Sequence, residues 1–166
     1  MIENGGRLRM GMRIGIVVNP DAGLGGRLGF KGSDGRAKEA REAGAVDRAG
    51  HRMQQCISNF KELLASSLNR IGVSPTIVAW SGRMGGDWLD GFEYEQRKES
   101  PTESTAQDTS HLVQDLLESE VDVILYAGGD GTTRDIVNAL DGNETPLIGV
   151  PGGVKMHSGC FATTPK

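Results

Sequence analysis

The stretch that decides the fold is Val121-Asp122-Val123-Ile124-Leu125-Tyr126-Ala127-Gly128-Gly129-Asp130-Gly131-Thr132. Val121 to Tyr126 is a short apolar, β-branched run of the kind that forms a buried strand. Gly128 and Gly129 end it. From Thr132 to Leu140 the apolar residues Ile136, Val137 and Leu140 fall at helical spacing. A strand, a tight glycine turn and a helix form one leg of a βαβ unit.

The same grammar recurs on either side. Ile14 to Val18 reads as a first strand closed by Asn19-Pro20, and Pro75 to Trp80 as a second, bounded by Gly72 and Ser81-Gly82. Pro146 to Val150 reads as a fourth, closed by Pro151-Gly152-Gly153. Between strands the period changes. Met53, Ile57, Phe60, Leu63, Leu64 and Leu68 mark one face of a helix within 36–69. A second helix starts at Thr105, with Asp108 as a capping-box partner and Leu112, Val113, Leu116 and Leu117 as its inner stripe. The polar segment 93–103 is a short strand or an exposed loop, and 155–161 a helix start or turn. Alternating strands and helices predict a Rossmann-like three-layer α/β/α fold with a mostly parallel sheet. Ligands of such sheets bind at the carboxyl ends of the strands, where three of the four strands run into glycine-rich loops.

Composition bounds the partners. The chain has 166 residues, one domain's worth, and a net charge of -4, with no basic stripe for nucleic acid. Glycine stands at 25 residues, about twice its usual share, and gathers at the ends of apolar runs. Cys56 and Cys160 lack ligand or disulfide spacing and read as reduced thiols of a cytoplasmic protein. No apolar run reaches the roughly 18 residues of a membrane span. Residues 1–13 are expected to be a disordered leader ahead of a domain over 14–166. His51 and His111 have no neighbouring ligand residues, so no metal site is assigned to protein side chains.

Glycines that open a helix let the backbone approach an anion and present N–H groups to it. Asp130 is out of place beside phosphates unless it accepts a proton from an attacking hydroxyl or holds Mg²⁺; the plain alternative is a helix cap. Lys155 is a candidate phosphate contact and His157 a candidate ribose or adenine contact, against a structural histidine. Arg27 and Lys31 are weaker phosphate candidates.

Three stretches, Gly15 to Gly35 (GIVVNPDAGLGGRLGFKGSDG), Ile124 to Asp135 (ILYAGGDGTTRD) and Gly149 to Phe161 (GVPGGVKMHSGCF), together resemble the ATP-NAD kinase family, nearest to its branch related to acetoin-catabolism proteins. The resemblance implies an ATP-dependent kinase with ATP as donor, NAD as acceptor and Mg²⁺ as cofactor, acting on a ribose hydroxyl. Asp130 would be the base or metal-organising carboxylate. Gly128, Gly129, Gly131 and Thr132 would line the nucleotide, with Asn19, Gly23, Gly25 and Gly26 forming the first phosphate-side loop. The family's β-rich second domain has no counterpart in these residues, so the chain corresponds to the nucleotide-binding half and is expected to form homo-oligomers through the face left uncovered. Its third stretch, Pro151 to His157, also differs from the turn of well-studied NAD kinases. GGDGT is shared with diacylglycerol kinases, which keeps a lipid kinase as one alternative; a non-catalytic nucleotide-binding or dimerising module is the other.

Overall fold

The computed structural model describes residues 2–4, 7–9, 11–24, 44, 47–71, 73–153 and 155–163. Strands β1 (Ile2–Asn4) and β2 (Arg7–Arg9) pair antiparallel as a separate two-stranded sheet. The main sheet holds β3 (Arg13–Val18), β4 (Thr76–Ser81), β5 (Tyr94–Glu99), β6 (Val123–Gly128) and β7 (Leu147–Pro151). Its order is β5-β4-β3-β6-β7, and every pairing is parallel. Counting sheet strands in chain order gives 3-2-1-4-5, so the direction of travel reverses between β3 and β6.

Alternation along the strands divides the core in two. Ile14, Ile16 and Val18 of β3, with Ile77 and Ala79 of β4, pack beneath helix α1 (Arg48–Ile71) against Ala49, Met53 and Ile57. Val17, Val78, Ile124 and Tyr126 face the other way. They pack beneath α2 (Ala106–Glu118) and α3 (Asp130–Leu140), meeting Leu112, Leu116 and Ile136. Helices on both faces of a parallel sheet make the three-layer α/β/α arrangement that the sequence predicts. At Gly15 the α2 layer comes so close that a Cβ would lie 2.9 Å from Leu116 Cδ1.

Several boundaries shift for identifiable reasons. Helix α1 is described from Arg48; the expected earlier start, within 36–46, lies outside the described residues apart from Gly44. Thr105 caps α2 as expected, its hydroxyl accepting from the Asp108 N–H and the Asp108 carboxylate accepting from the Thr105 N–H. The polar segment after residue 93 is a strand, β5, on the open edge of the sheet, where solvent on one side permits Glu, Gln, Arg and Lys. Between β4 and β5 the crossover has no α-helix, only two 3-10 turns, Gly82–Met84 and Gly86–Trp88. Val121 precedes β6 and hands its N–H to Leu116 O at the end of α2.

Residues 155–161 form a turn and not a helix. Gly149 N–H donates to Cys160 O and Ala162 N–H to Gly149 O, which sets Phe161 as a parallel bridge beside β7. Their hydrogen bonds run to Asp130 and to Gly149 of β7, with one local turn bond from Phe161 N–H to Ser158 O, and not along a helix.

Candidate functional site

The second and third glycine-rich loops and the described start of the first, as far as Leu24, meet at the carboxyl ends of β3, β6 and β7, beside the point where strand order reverses. Asn19, directly after β3, ties the first loop to the second: its Nδ2 donates to Thr132 Oγ1 at 2.9 Å and its N–H to Ala127 O at 3.0 Å. Its Oδ1 accepts from the Asp21 N–H at 3.0 Å, closing an Asx-type turn. Thr132, 3% exposed, is thus held inside the joint and not on its rim.

Glycine is required here for main-chain packing. A Cβ on Gly153 would lie 2.5 Å from Gly129 Cα, and one on Gly152 would lie 2.8 Å from Ala49 Cα at the start of α1. Gly23 has φ +83°, and its Cβ would sit 2.4 Å from Gly152 O. Gly128 abuts the Thr132 side chain, and Gly129 lies against Lys155 O. Gly131 differs: nothing lies within 4 Å of where its Cβ would be. The expected contributors Gly25 and Gly26, like Arg27 and Lys31, lie outside the described residues.

Asp130 is the first residue of α3, after the N-cap Gly129, which has no side chain to cap with. A carboxylate in that first turn is favoured by the helix dipole. The third loop grips it from both ends. Asp130 N–H donates to Lys155 O at 3.0 Å. In return Oδ1 accepts from His157 N–H at 2.8 Å, Ser158 N–H at 3.0 Å and the Ser158 hydroxyl at 2.8 Å. Among the described residues Oδ2 receives only the second, 3.0 Å branch of the His157 N–H. The Ser158 hydroxyl bond, followed by the two main-chain donors and the neighbouring His157 charge, holds the carboxyl below its usual range despite some opposing desolvation.

Lys155 and His157 enter this arrangement through their backbones; both residues are exposed. Behind the loop, Tyr126 hydroxyl contacts Thr133 Oγ1 at 2.6 Å and Cys160 Sγ at 3.0 Å, while Thr133 Oγ1 donates to Gly129 O at 3.2 Å. Burial, then the Cys160 contact, pushes the Tyr126 hydroxyl well above its ordinary value, so it stays protonated. Sequence reasoning did not single out Ser158, Tyr126 or Cys160 for this region, although all three stand in stretches that carry the resemblance. The missing signal was the partner, 28 residues away for Ser158 and Asp130.

Among the described residues no group of three or more His, Cys, Asp or Glu could hold a metal ion. Mg²⁺ does not require one, because it is commonly bound through one or two carboxylates with waters and substrate phosphates. Asp130 fits such a site as a single contributor. Among the described residues, no helix is long and apolar enough to cross a membrane.

Residues 14–166 match the family model described as the ATP-NAD kinase N-terminal domain. No curated protein and no solved structure matches the chain at a significant level.

Proposed function

The chain belongs to the ATP-NAD kinase family through its N-terminal domain, and on that premise we propose that it is the nucleotide-binding part of a kinase that moves the γ-phosphoryl of ATP to a ribose hydroxyl of NAD or a related acceptor. Asp130 carries the reading. It is an ionised carboxylate at the mouth of a helix, beside the reversal point of the sheet, with one oxygen fully engaged and the other nearly unengaged. In this reading Oδ2 accepts the proton of the acceptor hydroxyl as its oxygen bonds to the γ-phosphorus and ADP departs. A carboxylate held in its ionised form is a weak base, yet phosphoryl transfer through a loose transition state asks more for position and charge placement than for basicity.

Gly131 is the glycine of this loop whose choice no protein neighbour explains, and we assign its open side to the nucleotide. Asn19 and Thr132 hold the loops in register, with Gly23 at the first loop and Gly128 and Gly129 packed beneath. The Lys155 and His157 side chains, exposed on the same loop, serve phosphate and ribose or adenine. Phosphate oxygens and water would hold Mg²⁺, with Asp130 organising it through its charge, and the ion would neutralise the charge on the transferred group.

Replacing Asp130 by Asn tests the assignment through NADP formation. We expect a loss of about 10²–10⁴-fold, the usual range for a proton-transfer group. Unchanged turnover removes Asp130 from the chemistry. A second reading has one observation in its favour: the same hydrogen bonds that orient Asp130 also satisfy it as a structural latch. On that reading the domain binds nucleotide and transfers nothing. Calorimetric titration with ATP, ADP and NAD, beside the turnover assay, separates the two; heat without product favours the latch.

A further inference from the structure

Ser158 stands opposite Asp130 for a reason that holding the loop does not supply. The third loop is already fastened on both flanks without its hydroxyl. Upstream, Lys155 O receives the Asp130 N–H. Downstream, Gly149 binds Cys160 and Ala162 through its own N–H and C=O. Cys160 Sγ also meets Tyr126. What the hydroxyl adds is a 2.8 Å bond to one oxygen of one carboxylate. With the Ser158 and His157 N–H groups it brings three donors onto Oδ1, while Oδ2 has a single shared one. A carboxylate can otherwise rotate about its terminal torsion, which is broad and roughly two-fold, and exchange its oxygens. Here the exchange would move three short bonds at once.

We propose that Ser158 is a positioning residue: it pins Oδ1 of Asp130 and thereby makes Oδ2 the oxygen presented to the acceptor hydroxyl. This rests on the kinase reading for its consequence but not for its geometry.

The test compares wild type with Ser158→Ala, Ser158→Thr and Asp130→Asn in the whole protein. It reads the Asp130 side-chain carbon signal by NMR at one neutral pH without nucleotide, and kcat and KM for ATP with it. Removing the hydroxyl leaves Oδ1 with main-chain donors alone. The Asp130 carbon signal should therefore shift in Ser158→Ala and return in Ser158→Thr. We expect kcat to fall about tenfold, as for loss of one hydrogen bond to a charge, with KM for ATP little changed and with recovery in Ser158→Thr. If the Asp130 carbon signal of Ser158→Ala overlays that of wild type, the proposal is overturned. It is equally overturned if activity falls only in step with the melting temperature and Thr does not restore it. If Asp130→Asn leaves NADP formation intact while the Asp130 carbon signal of Ser158→Ala still shifts, Ser158 orients Asp130 as proposed and the kinase reading alone has failed.

Discussion

Asp115 and Asp130, two of the carboxylates that tie distant elements together, do it in opposite ways. Asp115, on the inner side of α2, accepts from Trp80 Nε1 at 2.7 Å and Lys98 Nζ at 2.9 Å, tying the helix to β4 and the edge strand β5. Both donors are long side chains, and Lys98 also lies 5.7 Å from the centre of the Trp80 ring. Asp130, at the start of α3, takes its donors mainly from main chain two residues long, with backbone packed on backbone around it. A joint made of flexible side chains adjusts when one part changes. A joint made of backbone keeps its geometry or loses it. The edge of the sheet uses the first kind and the carboxyl-terminal end the second, which suits a place where reacting atoms must be held to fractions of an ångström.

The sharpest way to break that contrast is to add one carbon at the rigid joint. Gly153→Ala forces a Cβ to 2.5 Å from Gly129 Cα and 2.9 Å from its nitrogen, with no rotamer to relieve it. Overpacking against backbone should cost about 3 kcal/mol, read by urea denaturation; a loss below the error of that measurement would mean the loops are not packed as described. At the flexible joint, Trp80→Phe keeps an aromatic ring, smaller than the indole, and deletes the donor to a 7% exposed Asp115. A smaller loss, about 1–3 kcal/mol, is expected, because Lys98 remains to satisfy the other oxygen.

Gly131→Ala sharpens the comparison from within the site. Its Cβ meets open space in a helical first turn, so the apo protein should gain up to about 1 kcal/mol. Nucleotide affinity should fall nonetheless. Thermal melts with and without ATP check both halves, and an unchanged ATP shift would free this position from the ligand.

The smallest effect belongs to the ion pair at the edge. Arg13 donates to Glu95 at 2.7 Å, and that hydrogen bond holds the Glu95 carboxyl below its usual range. A lowered carboxyl stabilises the fold above its unfolded-state value, and the benefit is lost as the pH falls through the folded-state value. Glu95→Gln should therefore cost about 0.2–1 kcal/mol at neutral pH, given partial exposure, and nothing once the pH is well below the carboxylate range. Melting curves of both proteins across that range should converge at the acid end.

The reading of β6 and the glycine turn after it was secure in one dimension because both signals are local. A β-branched run needs no partner to be recognised, and neither does a glycine pair before a helix. Strand β5 was harder: Tyr94 to Glu99 is polar because it sits at an edge, and edge position is a property of the assembled sheet. Residues 155–161 stayed open between a helix start and a turn for a related reason, since their hydrogen bonds run to Gly149 and Asp130. Among the glycines, sequence supplied the positions and left ligand approach and tight turning both open as reasons. The structure divides them: Gly23, Gly128, Gly129, Gly152 and Gly153 are crowded by protein, and Gly131 is open.

Sequence by itself determined the alternation of strands and helices, the parallel sheet that follows from it, and Asp130 as the residue a phosphate loop would not carry idly. Periodicity and turn chemistry are written in neighbours, so they survive the loss of the third dimension. Only the tertiary structure decided that the reversal point falls between β3 and β6, that Asn19 bridges to Thr132 there, and that Ser158 gives Asp130 one bound oxygen and one available one. Those are contacts between residues 28 to 113 positions apart, and no local pattern encodes which distant donor a carboxylate will meet.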